Sequence, residues 1–180
     1  MSKLVGVDSY LGPEMKSTGE VMGIDTEFRP ALAKALMAAG TMLPPKGAVL
    51  LSIADCDKAD AIPLVKNLAE QGYEFYATNG TALMIEALGI DVTHVAKAHD
   101  EGHPNTVDVI MSSTVHAAIN TVGNPDLPTL EDGFEIRRSS ADVGIPCFTS
   151  LDTARAAVES LTAGQDGYSV KPLPAYRAGR

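Results

Sequence analysis

Two threonines bracket an Asn-Gly pair at Thr78, Asn79, Gly80 and Thr81. An apolar run at 73–77 precedes them, and an apolar-periodic segment at 82–88 follows, closed by Gly89. A strand that passes through a tight, hydroxyl-rich turn into a helix brings free backbone N–H groups to one point, at the positive end of the helix dipole. The two hydroxyls stand beside them as further donors. This is chemistry for holding a phosphate or another small anion. It needs no covalent step.

The elements that must position this turn are regular from Lys46 onward. The pattern predicts strands over 48–54, 73–77, 91–96, 115–122 and 146–149. Between and after them it predicts helices over 60–71, 82–88, 106–113, 136–143 and 152–161. Pro63 would disrupt a helix interior, so the first of these helices is expected to start near Asp60, leaving Lys58 on a loop. Residues 124–133, rich in Pro and acid, read as a loop. Strand–helix alternation at this spacing predicts a three-layer α/β/α domain with a mostly parallel central sheet of about five strands. Ligands of such sheets gather at the carboxyl ends of the strands, where strand order reverses. Ser52, Lys58, Thr78, Thr81, Lys97, Asn120 and Thr121 all fall at or just beyond predicted strand ends. Any one hydroxyl there would serve equally well as a helix cap. The set, with two lysines in a chain of net charge −9, points instead to an anion site.

Composition sets the outer limits. The 180 residues are 45% hydrophobic but only 5% aromatic, with no Trp, so Ala, Val, Ile and Leu must fill the core. That palette suits a parallel sheet covered on both faces. The negative balance opposes non-specific nucleic-acid or anionic-membrane binding. No apolar run approaches the roughly 20 residues of a membrane span, and a signal-peptide pattern is lacking. Cys56 and Cys147 form no paired motif, so free thiols in a reducing cytoplasm are expected. Ahead of the domain, 28–43 reads as a lead-in helix with Phe28, Leu32, Leu36 and Ala39 on its apolar face. Pro30 is tolerable in its first turn, and Gly40 and Pro44-Pro45 end it.

The same residues carry a family likeness. Leu50-Leu51-Ser52 with Asp57-Lys58, Ala77-Thr78-Asn79-Gly80-Thr81-Ala82, Val95-Ala96-Lys97, Ile119-Asn120-Thr121 and Ile136-Arg137-Arg138 occur in that order. The set resembles the methylglyoxal-synthase-like domain, in the form that closes the large chain of carbamoyl-phosphate synthase. Ahead of it, the block at 11–23, with Ser17-Thr18-Gly19-Glu20-Val21-Met22-Gly23, resembles the end of the second ATP-grasp unit of that enzyme.

The resemblance divides the chain into an ATP-grasp tail (1–27), a linker helix (28–45), the regulatory domain (46–162) and a flexible tail (163–180). The chain then reads as a C-terminal piece of that large chain, cut out or separately encoded. The resemblance implies a non-catalytic regulatory domain that binds a nucleotide effector, UMP or IMP, and tunes ATP use in carbamoyl phosphate synthesis for pyrimidines or arginine. It places the phosphate on Ser52, Lys58, Thr78, Gly80 and Thr81, puts Lys97 and Thr121 on the pocket, and sets Asn120 against ribose or base. Val122 stands where many members have another threonine, removing a hydroxyl. Implied partners are the rest of the large chain and its glutaminase small chain, with self-association through faces that a missing neighbour would cover. ATP with Mg or Mn belongs to the intact enzyme, and no cofactor is implied for this chain alone.

Methylglyoxal synthase, a lyase acting on dihydroxyacetone phosphate, is the alternative. Its pattern calls for Gly-Gly-Asp after the third strand and Asp after the fourth. Here the chain reads Gly102-His103-Pro104-Asn105-Thr106 and Asn120-Thr121-Val122-Gly123. Without a placed base, proton abstraction has no agent. Asp55, Asp57 and Asp108 are expected to cap helices or face solvent. His99 and His103 flank Gly102 and precede Pro104, which breaks the i,i+4 helical geometry of a metal pair. Arg137-Arg138 is expected near a helix start, where the dipole disfavours cations, and so in a salt bridge.

Overall fold

The computed structural model describes residues 21–123, 127–164 and 170–177. Five strands form one sheet: β1 (Ala48–Ser52), β2 (Glu74–Thr78), β3 (Thr93–Val95), β4 (Ala117–Asn120) and β5 (Cys147–Phe148). Their order is β3-β2-β1-β4-β5 and every pairing is parallel. The sheet is therefore wholly parallel, and its order reverses between β1 and β4. Central β1 is buried along its first four residues, as a strand covered on both faces must be.

The period of two divides its side chains between two cores. Val49 and Leu51 pack with α2 (Lys58–Glu70), α3 (Asn79–Glu86) and α6 (Leu151–Gly164) through residues such as Leu64, Ile85 and Val158. Ala48 and Leu50 pack on the other face with α4 (Thr106–Met111) and α5 (Leu127–Val143), through Val109, Ile110 and Ile136.

α1 (Phe28–Ala39) lies along α6, with Arg29 and Glu159 paired at 3.4 Å. Its buried residue is Ala33, while Phe28, expected on the apolar face, is 73% exposed. Gly23 packs so tightly on α1 that an added Cβ would lie 1.9 Å from the Ala31 carbonyl oxygen. Lys34 of α1 joins both ends of the described chain: its Nζ donates to Asp25 at 2.7 Å, to the Ile24 carbonyl at 3.0 Å and to the Tyr176 hydroxyl at 3.3 Å. Tyr176 belongs to α7 (Leu173–Arg177), a short helix in a tail expected to lack structure. The rest of the 11–23 block, up to residue 20, lies outside the described residues.

Three helix starts differ from the sequence reading. α2 begins at Lys58, because the 3-10 turn Asp55–Asp57 runs straight into it. Pro63 sits inside the helix on its exposed side, where its missing N–H withdraws only one bond. α3 begins at Asn79, directly off β2, so Thr78 and not Thr81 occupies the N-cap position. α5 begins at Leu127, absorbing most of the expected loop, with Pro128 in the first turn. Arg137 and Arg138 therefore stand in the helix interior, clear of the first turn where the dipole disfavours cations. Arg138 pairs with Asp142 at 3.8 Å, one turn on.

Candidate functional site

The carboxyl ends of β1, β2, β3 and β4 surround a cavity of about 490 Å³. Ser52, Lys58, Thr78, Gly80, Thr81, Lys97, Asn120 and Thr121 all line it. Val122 does not; it borders a neighbouring depression beside Asp57 and Arg155.

One wall is the start of α3. Thr78 takes the N-cap position with extended backbone, and its side chain makes no capping bond. Asn79 and Gly80 follow, exposed, in the first turn, where helix N–H groups have no intrahelical partner. Lys58, one residue into α2, hangs over this turn: a Cβ added to Gly80 would lie 2.9 Å from its Nζ. A glycine leaves that approach open.

The floor is different. Thr81 is almost fully buried, and its hydroxyl both accepts from the Ile53 N–H at 3.0 Å and donates to the Ile53 carbonyl at 3.4 Å. Thr121 does the matching job one residue later, accepting from the Ala54 N–H at 2.9 Å. The backbone leaving β1 is thus clamped from both sides. Asn120 is buried, donates to the Ser52 carbonyl at 3.5 Å and accepts at 3.0 Å from the guanidinium of Arg137. The Thr81 hydroxyl, expected to serve a phosphate, is thus already engaged within the fold.

Both lysines are ion-paired. Lys58 meets Asp55 at 2.6 Å and Lys97 meets Asp132 at 3.5 Å. Lys58, by hydrogen bond and then by charge, holds the Asp55 carboxyl below its ordinary value, with Lys97 adding a smaller push. Asp55 is itself highly exposed, so Lys58 is held by a group that water can easily take over. Asp132 is nearly buried and also accepts from the His99 N–H at 3.4 Å, tying the loop after β3 to α5.

The sequence reading missed Asp132, Gly133 and Arg137 here, because it ran a loop through 124–133. A continuous helix would have put Gly133 and Arg137 on one face, four residues apart. Asp100 also lines the cavity, without an ion-pair partner among the described residues. Asp108, by contrast, caps α4, with Asn105 and Asp108 exchanging bonds at 2.9 Å. His103 stands 2.6 Å from that carboxylate, while His99 serves the cavity loop through its backbone.

Fold and cavity together define a doubly wound parallel α/β domain with a polar, lysine-bearing cavity at its strand-order reversal. The chain belongs to the MGS-like domain family, whose model matches residues 60–149. It is 50% identical over 177 residues to the carbamoyl phosphate synthase large chain of Thermomicrobium roseum (strain ATCC 27502 / DSM 5159 / P-2), covering 98% of this chain and 16% of that one. It is 45% identical over 164 residues to the carbamoyl phosphate synthase large chain of Rhodopirellula baltica (strain DSM 10527 / NCIMB 13988 / SH1), covering 91% of this chain and 15% of that one. The chain thus spans only a small part of the length of these relatives. A solved methylglyoxal synthase from Elizabethkingia anophelis NUHP1 shares the fold at TM-score 0.50 and 19% identity, over 65% of this chain and 80% of the other. No helix among the described residues is long and apolar enough to cross a membrane.

Proposed function

We propose that this chain is the effector-binding regulatory domain of a cytoplasmic carbamoyl-phosphate synthase large chain, taking a phosphorylated nucleotide of the UMP or IMP type. One observation carries the reading: at the strand-order reversal a single cavity is lined by two lysines from different segments and by a helix start whose N-cap side chain makes no capping bond, with Lys58 directly over its first turn. Each lysine rests on a carboxylate. An entering phosphate replaces Asp55 as the partner of Lys58 and takes the first-turn N–H groups of α3 at the same time.

Regulation follows by linkage. An effector that favours one arrangement of this domain against a synthetase unit shifts the ATP affinity of that unit, and the ATP shifts effector affinity by the same factor. On this reading residues 1–27 close an ATP-grasp unit, 28–45 link it to the regulatory domain at 46–162, and 163–180 form the tail. The ATP with its Mg or Mn, the rest of the large chain and a glutaminase small chain are partners of the intact enzyme. The fragment binds and does not turn over.

The cavity carboxylates favour a second reading, a lyase acting on dihydroxyacetone phosphate, with Asp100 as its unpaired base. Thermal unfolding with UMP, IMP and inorganic phosphate, beside an assay for methylglyoxal, separates the two. A nucleotide at a hundredfold excess over Kd stabilises by about 2.7 kcal/mol, a rise in Tm of about 5–10 °C. That rise without methylglyoxal supports the regulator. Methylglyoxal formation abolished by Asp100→Asn supports the lyase.

A further inference from the structure

Arg137 is 2% exposed, on the inner face of α5 and behind the cavity floor. Burying a guanidinium is costly unless it is well paired, so its position calls for an explanation. One of its partners is the cavity residue Asn120, whose Oδ1 accepts from Nη1 at 3.0 Å. An arginine has five N–H donors and no acceptor, so Asn120 can meet it only with its oxygen. The amide nitrogen is thereby turned the other way, toward the Ser52 carbonyl at 3.5 Å, in a residue that lines the cavity. Gly133 makes the approach possible: a Cβ there would lie 2.8 Å from Nη1 and 3.2 Å from Oδ1.

Sheet order places this amide away from the phosphate end. β1 stands between β2, which carries Thr78, and β4, which carries Asn120. Two strand spacings separate them by roughly 10 Å. A bare phosphate at the start of α3 does not reach Asn120; a phosphate ester carrying a sugar does.

We infer that Arg137 is a positioning residue that fixes Asn120 as a hydrogen-bond donor, and that the cavity thereby selects phosphate esters bearing a hydroxyl or carbonyl acceptor about a sugar's length from the phosphate. This rests on the reading of the cavity as a nucleotide site and adds what discriminates a nucleotide from phosphate alone. Arg137 acts through Asn120 and also lends its charge to the amide from behind.

The test is calorimetric titration of the 180-residue chain with UMP and, separately, with inorganic phosphate. Wild type is compared with Arg137→Gln, Arg137→Lys, Gly133→Ala and Asn120→Asp. Losing one well-placed donor costs UMP about tenfold more affinity than it costs phosphate in Arg137→Gln. Arg137→Lys restores part of that preference. Gly133→Ala lowers it with the arginine still present, so a folding defect in Arg137→Gln leaves the idea testable. Asn120→Asp keeps a partner for Arg137, and with it the fold, yet lowers UMP affinity by removing the donor. An unchanged ratio of UMP to phosphate affinity in folded Gly133→Ala and Asn120→Asp overturns the inference and leaves the effector site standing. A wild type that binds neither UMP nor phosphate overturns both.

Discussion

Two helices of this domain begin in opposite ways. At α4, Asn105 and Asp108 close a reciprocal capping box, and His103 supports the carboxylate, so the helix start is satisfied by its own residues. At α3, Thr78 occupies the same position and its side chain caps nothing, while Asn79 and Gly80 lie exposed beneath the ammonium of Lys58. Both termini carry the same orphan N–H groups and the same dipole. The first is closed by sequence-local chemistry and serves stability. The second has no such closure, and it stands beside a floor whose Thr81 and Thr121 hydroxyls are already bonded to the backbone leaving β1. An open helix start next to a floor braced by its threonines is what a receptive site in a firm domain requires.

Changing each side of this contrast separates binding from stability. Removing both cavity cations in Lys58→Ala/Lys97→Ala has the largest expected effect. Charge-assisted bonds are worth about 1.5–3 kcal/mol each, so nucleotide affinity falls by about a hundredfold or more in titration, with little change in Tm. Thr81→Val strikes the floor. It strips the buried Ile53 N–H of its partner and costs about 1–3 kcal/mol, read as a lower urea midpoint with an unchanged m-value. Asn105→Ala opens the closed helix start, costing about 1 kcal/mol in the same assay and leaving nucleotide affinity as it was.

The smallest effect is in acid. The Asn105 N–H first, and His103 second, hold the Asp108 carboxyl below its ordinary 3.8. A carboxyl lowered in the folded state adds stability that is fully present above that ordinary value and is lost as pH falls through the folded one. Thermal unfolding of Asp108→Asn should therefore show a shallower loss of Tm below about pH 4 than wild type. An equally steep loss would separate the box from the acid response.

The sheet was legible because the central strands β1, β2 and β4 are short apolar runs between breakers, and the rim residues followed from the strand ends. Helix starts were less so, for physical reasons that differ. At α2 a 3-10 turn feeds the helix and a proline is carried on its outer side, so punctuation misled. At α5 the Pro- and acid-rich stretch looks like a loop, yet Pro128 fits a first turn and Gly133 is kept small for a guanidinium arriving from the next turn. Nothing local marks Arg137 as buried. Arginine is seldom buried, and its partner Asn120 lies across the packed layers, 17 residues back. The hydroxyl of Thr81 was likewise matched to the cavity by motif, while its clamp on Ile53 exists only once α3 has folded against β1.

Calorimetric titration of UMP and IMP into the purified chain, with Thr78→Ala/Lys97→Ala as the control, decides whether this cavity is an effector site. An effector site here binds one of the two nucleotides at micromolar concentration and loses it in the double variant, whose unfolding curve stays that of a folded protein. A folded wild type that binds neither, or a double variant that binds as tightly as wild type, would contradict that reading.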